Sequence, residues 1–294
     1  MTQSDFSGER IAKILARAGV ASRRQAEKMI AEGRVDVNGR TIDSPALNVG
    51  QTDLITVDGK PVQAAEPTRL WKYHKPVGLV TSDRDEKGRA TVFANLPGSL
   101  PRVMSVGRLD INSEGLLLLT NDGALKRRLE LPSTGWVRRY RVRVNGAVDD
   151  AVFDPLRKGL TVEGTRYQPM DIRFDRQQGA NAWLTIGIRE GKNREVRRAL
   201  AAVNLVVNRL IRVSYGPFQL GEIKSGQVEE IRAKVLYDQL GSHMAPEPHG
   251  EEPGKISRKI SRKISRSPRA ANPAHSLRRK PKRGGPKKPP AKPS

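Results

Sequence analysis

Four consecutive leucines, Leu116 to Leu119, lie between a polar, glycine-bounded stretch, VGRLDINSEG, and an Asn-Asp-Gly turn at 121–123. A run without a polar face has to be buried, so it predicts a strand inside a packed sheet. The chain of 294 residues is long enough for such a core and for about two domains. The strand also puts two carboxylates, Asp110 and Glu114, at the mouth of a stiff scaffold, where an acid's surroundings can be controlled. Taken alone, Asp110 reads first as a turn-former or an ion-pair residue. Glu114, four residues on, suggests a paired-carboxylate hydrolase, but aromatic residues are only 4% of the chain and offer no platforms for a sugar.

Short strands are expected around this one, at 70–73, 139–144, 182–188 and 206–213. Lys75-Pro76 and Gly216-Pro217 supply further turn signals. Two helices stand out, one after Asn193 and one over 228–240, ending at Gly241. This is an α+β pattern with a mixed or antiparallel sheet, placed at residues 70–241 and preceded by a small-residue linker, AAEPTR, at 64–69.

Residues 1–63 read as a separate small α+β module. Ile11, Ile14, Leu15 and Ala18 share a helical face that Gly19 ends, and Ser22 with Gln25 forms a capping box for a second helix ending near Gly33. Val35-Asp36-Val37, then Asn38-Gly39, then Arg40-Thr41-Ile42 is a hairpin signature. A further strand at 54–57 turns at Asp58-Gly59. Arg23, Arg24 and Lys28 lie on the outer face of the second helix, where a solvated surface and a phosphate-binding one look alike.

Lys and Arg number 54 against 31 Asp and Glu, a net charge of +23. Residues 253–294 hold 15 of those cations and no acid, which leaves 39 basic against 31 acidic residues, +8, in the body. Such a balance favours polyanions. Residues 242–294 include Lys-Ile-Ser-Arg three times over 255–266; one isolated Ile per repeat builds no core, so this segment is expected to be disordered, an electrostatic arm or a solubilising appendage. The absence of Cys excludes disulfides, thiolate zinc sites and cysteine nucleophiles. Four His, of which only His74 precedes residue 242, make a histidine metal site unsupported. Neither GxxxxGK[ST] nor GxGxxG occurs, so no ATP or dinucleotide site is expected. The first residues lack the apolar run of a secretory signal, and no stretch reaches the ~18 apolar residues of a membrane span. Asp83, Asp85 and Glu86 have no calcium-loop spacing and read as a charged loop. A cytoplasmic protein is expected.

The segment REGKNREVRRALAAV, 189–203, predicts an amphipathic helix. Val196, Leu200 and Val203 share one face, Arg194, Arg197 and Arg198 the other, and Asn193 is the expected N-cap. Its first turn would offer N–H groups and guanidinium forks to a phosphate or carboxylate.

Residues 9–50, carrying AGVASRRQA and GRVDVNG, resemble the small RNA-binding domain shared with small-subunit ribosomal protein four. Four further blocks, HKPVGLVTS (74–82), GRLDINSEGLLLLTNDG (107–123), RRYRV (138–142) and EGKNREVRRAL (190–200), resemble in order the pseudouridine synthases of the branch that includes the small-subunit and large-subunit rRNA enzymes. The resemblance spans residues 9–240. It implies that Asp110 is the essential catalytic aspartate, that Tyr140 stacks beneath the target uracil, and that Arg197 pairs with the aspartate. It further implies RNA contacts by Arg23, Arg24, Lys28, Arg108, Arg138, Lys192, Arg194 and Arg198, and a reaction needing no cofactor or metal. Many relatives have Lys at the position of Arg138, and some have His-Gln and Lys where this chain has Arg194-Glu195 and Arg197; positive charge is kept. EGKNREVRRAL with a long basic extension is closest to the B type of the large-subunit enzymes, so the expected partner is 23S rRNA, free or in pre-ribosomal particles, bound by a monomer. A 16S target, or a non-catalytic ribosome-assembly role had the site residues been replaced, are the alternatives.

Overall fold

The computed structural model describes residues 8–146 and 148–241; the expected disordered tail lies outside them. At the N-terminal end β1 (Glu9–Arg10) runs directly into α1 (Ile11–Arg17). The capping box of α2 (Arg23–Ala31) forms as predicted: the Ser22 hydroxyl accepts from the Gln25 N–H, and the Gln25 side chain accepts from the Ser22 N–H. Asn38 and Gly39, both at positive φ (53° and 77°), turn β2 (Val35–Val37) into β3 (Arg40–Thr41), the geometry a two-residue hairpin loop requires. β4 (Asn48–Val49) returns beside β1, and β5 (Ile55–Val57) with β6 (Lys60–Pro61) completes a small sheet ordered β3-β2-β5-β6. Ile11, Leu15, Ala26, Ile30, Val35 and Val57 fill its own core.

The larger sheet begins with β7 (Leu70–Lys75), β8 (Met104–Val106) and β9 (Glu114–Thr120), followed by α3 (Gly123–Glu130) and β10 (Arg138–Asn145). After α4 (Asp154–Lys158), β11 (Thr161–Val162) and β12 (Thr165–Arg166) form a separate hairpin; β13 (Asp171–Gln178), β14 (Asn181–Ile188), α5 (Glu195–Ala201), β15 (Val207–Tyr215), β16 (Phe218–Gln219), β17 (Val228–Glu230) and α6 (Ala233–Leu240) follow. The strand order is β13-β14-β10-β15-β9-β7-β17, with β16 on β15 and β8 on β9. Only the β15–β9 contact among these is parallel, at Ile211–Glu114 and Arg212–Gly115. The expected mixed sheet is therefore present.

The four leucines explain themselves by position. Leu117 and Leu119 pack with Trp71, Tyr73 and Val142 in one core. Leu116 and Leu118 pack with Leu70, Val106, Leu125 and Leu236 in another. Successive side chains of a strand point to opposite faces, so β9 needs no polar face because both of its faces are covered. All four side chains are fully buried, worth about 1.5–3 kcal/mol each relative to exposure.

Two expectations need correction. The predicted helix over 228–240 begins only at Ala233. Residues Val228–Glu230 instead form an edge strand on β7, where Glu229 faces Lys72 across the ladder and forms an ion pair with it, and Glu230 pairs with Arg69 just before β7. Gly123, read as part of a turn, is the first residue of α3, with Asp122 as N-cap accepting from the Ala124 and Leu125 N–H groups. Asp122 also accepts from the Thr68 hydroxyl and lies 3.6 Å from the Arg17 guanidinium of α1. Arg17 donates in turn to the carbonyl of Glu66. The segment between the small and large sheets is thus tied at both ends.

Candidate active site

The stretch between β8 and β9 crosses the mouth of the large sheet as an irregular turn carrying Asp110. Its backbone is held from every side. The carbonyl of Arg108 accepts from Arg212, that of Leu109 from the Thr81 hydroxyl, and that of Asp110 from Lys75 Nζ and the Ser113 N–H. Ile111 accepts from the Gly78 N–H, Asn112 from Arg197 and Ser113 from Lys75. Six successive carbonyls are therefore occupied. At the start of the turn the Gly107 N–H donates to Glu130, 2.6 Å, and at its end Glu114 receives both forks of Arg209, at 2.6 and 3.1 Å. The hydrolase reading of Glu114 fails here, because its two oxygens are committed to a structural ion pair.

The Asp110 side chain is the exception. Among the described residues no group donates to its carboxylate, which lines a cleft of about 470 Å³ together with Arg108, Arg138, Tyr140, Lys192, Arg194, Glu195, Arg212 and Tyr215. A carboxylate on an over-determined backbone with no partner of its own is presented to whatever enters the cleft, already oriented. Tyr140 faces it from β10, with a bulge between Arg139 and Tyr140 in the pairing with β15; such bulges re-aim side chains beside sites. The residue is 8% exposed, packed in the core while lining the cleft, and its hydroxyl has no partner among the described residues.

Arg197 does not form the expected ion pair with Asp110. It donates to the carbonyls of Val207, 2.9 Å, and Asn112, 2.7 Å. Its charge still acts on Asp110 through space: burial and Arg194 lower the guanidinium's proton affinity, and the Asp110 carboxylate opposes them. Arg197 thus holds the aspartate's turn as well as lending it charge. Arg198 does not line the cleft; it pairs with Glu163 at 3.1 Å. Arg138 stacks over the Tyr215 ring, 4.8 Å away, and donates to the Tyr215 hydroxyl. Arg194, not Asn193, is the N-cap of α5, at φ 50°, and the helix opens on Glu195, so its first turn carries an acid where an anion site was expected. Arg23, Arg24 and Lys28 are exposed on α2, with Lys28 3.5 Å from Glu32.

Three residues of the site escaped the sequence reading. Thr81 both donates to and accepts from Leu109. Arg212 is 2% exposed beneath the cleft, with Nη2 unpartnered. Lys75 is fully buried, and desolvation holds its ammonium down to about 8 despite the Asp110 and Glu114 charges. Lys75-Pro76 was visible as a turn, but nothing local marked Lys75 as a clamp. Among the described residues no group of three or more His, Cys, Asp or Glu is placed to hold a metal ion, and no helix is long and apolar enough to cross a membrane.

Comparison with known proteins gives the family. The RNA pseudouridylate synthase family matches residues 69–202 and the S4 domain residues 9–55. A protein of Rickettsia felis named uncharacterized RNA pseudouridine synthase is 48% identical over 228 residues, 78% of this chain and 99% of that one. The ribosomal large subunit pseudouridine synthase B of Haemophilus influenzae is 43% identical over 226 residues, 74% of this chain and 63% of that protein. A crystal structure of a pseudouridylate synthase superposes with a TM-score of 0.55 at 25% identity, covering 79% of this chain and 99% of that one. A buried-strand scaffold presenting one unpartnered aspartate, preceded by an S4 domain and matched along nearly its whole described length, places the chain in the RNA pseudouridine synthase family.

Proposed function

We propose that the protein converts one uridine of 23S rRNA to pseudouridine, with Asp110 as the catalytic group acting on a flipped-out base. The observation that carries this reading is the Asp110 turn: six clamped carbonyls and a free carboxylate facing Tyr140. The isomerisation breaks the N1–C1′ bond, forms a C5–C1′ bond, removes the proton from C5 and returns one to N1, so no electron acceptor or co-substrate is consumed. Asp110 supplies the nucleophilic or basic oxygen, Tyr140 a surface for the uracil, and Arg197 positive charge with a fixed turn. Extruding the base costs a few kcal/mol and is cheapest in a loop or loosened stem. Arg108, Arg138, Lys192 and Arg194 ring the cleft at the place where the flanking phosphates would lie. Arg23, Arg24 and Lys28 of the S4 domain grip a second stretch of the same RNA. The protein is proposed to act as a monomer, in the cytoplasm, on rRNA or pre-ribosomal particles. The large-subunit names of relatives at 42–43% identity support the 23S target.

The test is single-turnover pseudouridine formation with saturating enzyme, beside a binding curve for the same RNA. Asp110→Asn keeps the volume and the turn, so affinity should stay within about threefold while turnover falls by at least about a hundredfold. Conversion within tenfold of wild type would show that the carboxylate is not the catalyst. Mapping pseudouridines in rRNA of a deletion strain decides the target; loss of a 16S position with all 23S positions intact refutes the large-subunit assignment.

A further inference from the structure

The loop between β14 and α5 carries Lys192, Asn193 and Arg194 to the rim of the cleft, and two glutamates close it. Glu195, 3% exposed, accepts from the Lys192 N–H through Oε2 at 2.8 Å. Its other oxygen, Oε1, is buried and receives no hydrogen bond from any donor. Glu190 closes on the same lysine from its other end, and the two carboxyls interact. Glu190 in turn accepts from the Gln168 N–H at 2.7 Å and from Lys192 Nζ at 2.7 Å. Two ionised carboxylates in that position would repel each other, with one buried oxygen unsatisfied. A proton on Glu195 Oε1, donated to Glu190, satisfies both.

We infer that Glu195 and Glu190 share one proton, and that this carboxyl pair is the latch that holds Lys192 and Arg194 over the cleft for the RNA backbone. Both glutamates are positioning residues and neither touches the reacting atoms. Burial and the Glu190 charge push the Glu195 carboxyl up to about 7, while its bonds to Lys192 and the Lys192 charge work the other way. Glu190, held by Lys192 and the Gln168 N–H, is the member of the pair that stays ionised. The ionisable groups that line the cleft beside Glu195 are Arg138 and Tyr140 from β10, Arg212 and Tyr215 from β15, Asp110 and Arg108 from the turn opposite, and Lys192 and Arg194 of the loop; on its other side Lys192 lies over the Tyr167 ring and donates to the Arg166 carbonyl. Loss of the shared proton places two anions together at the base of the loop, loosens it, and weakens the grip of Lys192 and Arg194.

The inference rests on the RNA-modifying reading of the cleft, and its test separates the two. KM and kcat for RNA are measured from pH 6.5 to 8.5 with the full chain, together with the infrared spectrum in heavy water. Wild-type KM should rise threefold to thirtyfold over that range, up to tenfold for each pH unit above the titration point, while kcat at saturating RNA follows a separate profile. Glu195→Gln, a neutral isostere whose amide can donate to Glu190, should hold the low KM throughout; Glu195→Ala should show the high KM at every pH. At pD 6.5 the wild type should show a protonated-carboxyl C=O band without RNA, absent from Glu195→Gln and Glu190→Gln. Persistence of the wild-type KM rise in Glu195→Gln, or absence of the band, overturns the latch. A wild type with the band but no pseudouridine formation leaves the shared proton standing and removes the functional reading instead. Should Glu195→Gln fail to fold, the band and its loss in Glu190→Gln decide the matter.

Discussion

Gly115 is where the sheet and the site are least able to tolerate a side chain. It pairs with Lys75 of β7 on one side and Arg212 of β15 on the other, at φ +103°. A Cβ built there would lie 2.4 Å from the Arg212 carbonyl oxygen, 2.8 Å from its nitrogen and 3.0 Å from its carbonyl carbon. All three are backbone atoms of a central strand, so no rotamer change relieves the clash. In Gly115→Ala the backbone conformation alone costs about 1–3 kcal/mol. Separating β15 from β9 strips ladder hydrogen bonds and leaves buried groups unsatisfied, about 1–3 kcal/mol more. The expected loss is about 2–6 kcal/mol, which at about 2–4 °C per kcal/mol for a protein of this size lowers Tm by about 4–24 °C. Gly39→Ala is the control: it also sits at positive φ, 77°, but a Cβ there meets nothing within 4 Å, so about 1–2 kcal/mol is expected. Thermal unfolding followed by circular dichroism reads both variants. A Gly115→Ala melt within 3 °C of wild type, or no lower than that of Gly39→Ala, refutes the steric argument.

Other perturbations reach the same turn from different directions. Thr81→Val removes both hydrogen bonds to Leu109 and should cost about 1–2 kcal/mol; single-turnover rates should fall by more than RNA affinity does. Arg209→Met leaves Glu114 buried without its cation, for a loss of about 1–3 kcal/mol in urea unfolding, and Glu114→Gln in the same background should recover most of it. Lys75 titrates low in the folded state, so the unfolded chain binds its proton more tightly between pH 8 and 10.5. Stability contributed by this group should therefore rise with pH across that window, by at most about 3 kcal/mol, and the rise should be missing in Lys75→Met. Removing residues 253–294, with 15 cations, should flatten the dependence of RNA affinity on log salt; an unchanged slope would mean those residues lie off the RNA.

Much of the scaffold could be read from local pattern. The leucine run, the Asn38-Gly39 hairpin and the Ser22–Gln25 box are signals completed within a few residues, and each formed where expected. The failures share a cause. Asn121-Asp122-Gly123 has the composition of a turn, and only the chain beyond it makes Asp122 a helix cap. β13 escaped because it is a largely exposed strand, DIRFDRQQ, whose alternation is broken by a bulge between Phe174 and Arg176. Val228–Glu230 looked helical in a window continuous with Ala233–Leu240, and pairing with β7 overrode it. Asp110 was legible as a carboxylate beside a rigid strand. Its surroundings were not, since Thr81, Arg197 and Arg212 reach the turn across separations of 28, 85 and 104 residues, and periodicity carries no information about such distances.

β9 also has two working ends. One follows the Asp110 turn; the other runs into Asp122, which Arg17 of α1 touches. Seven residues at about 3.3 Å each make a rigid strut of about 23 Å between them. On the proposed function, an RNA held by the small module would have to span about that distance before a uridine could enter the cleft. Two hairpins with identical loops but different stem lengths would be told apart by that ruler, with no base read at all.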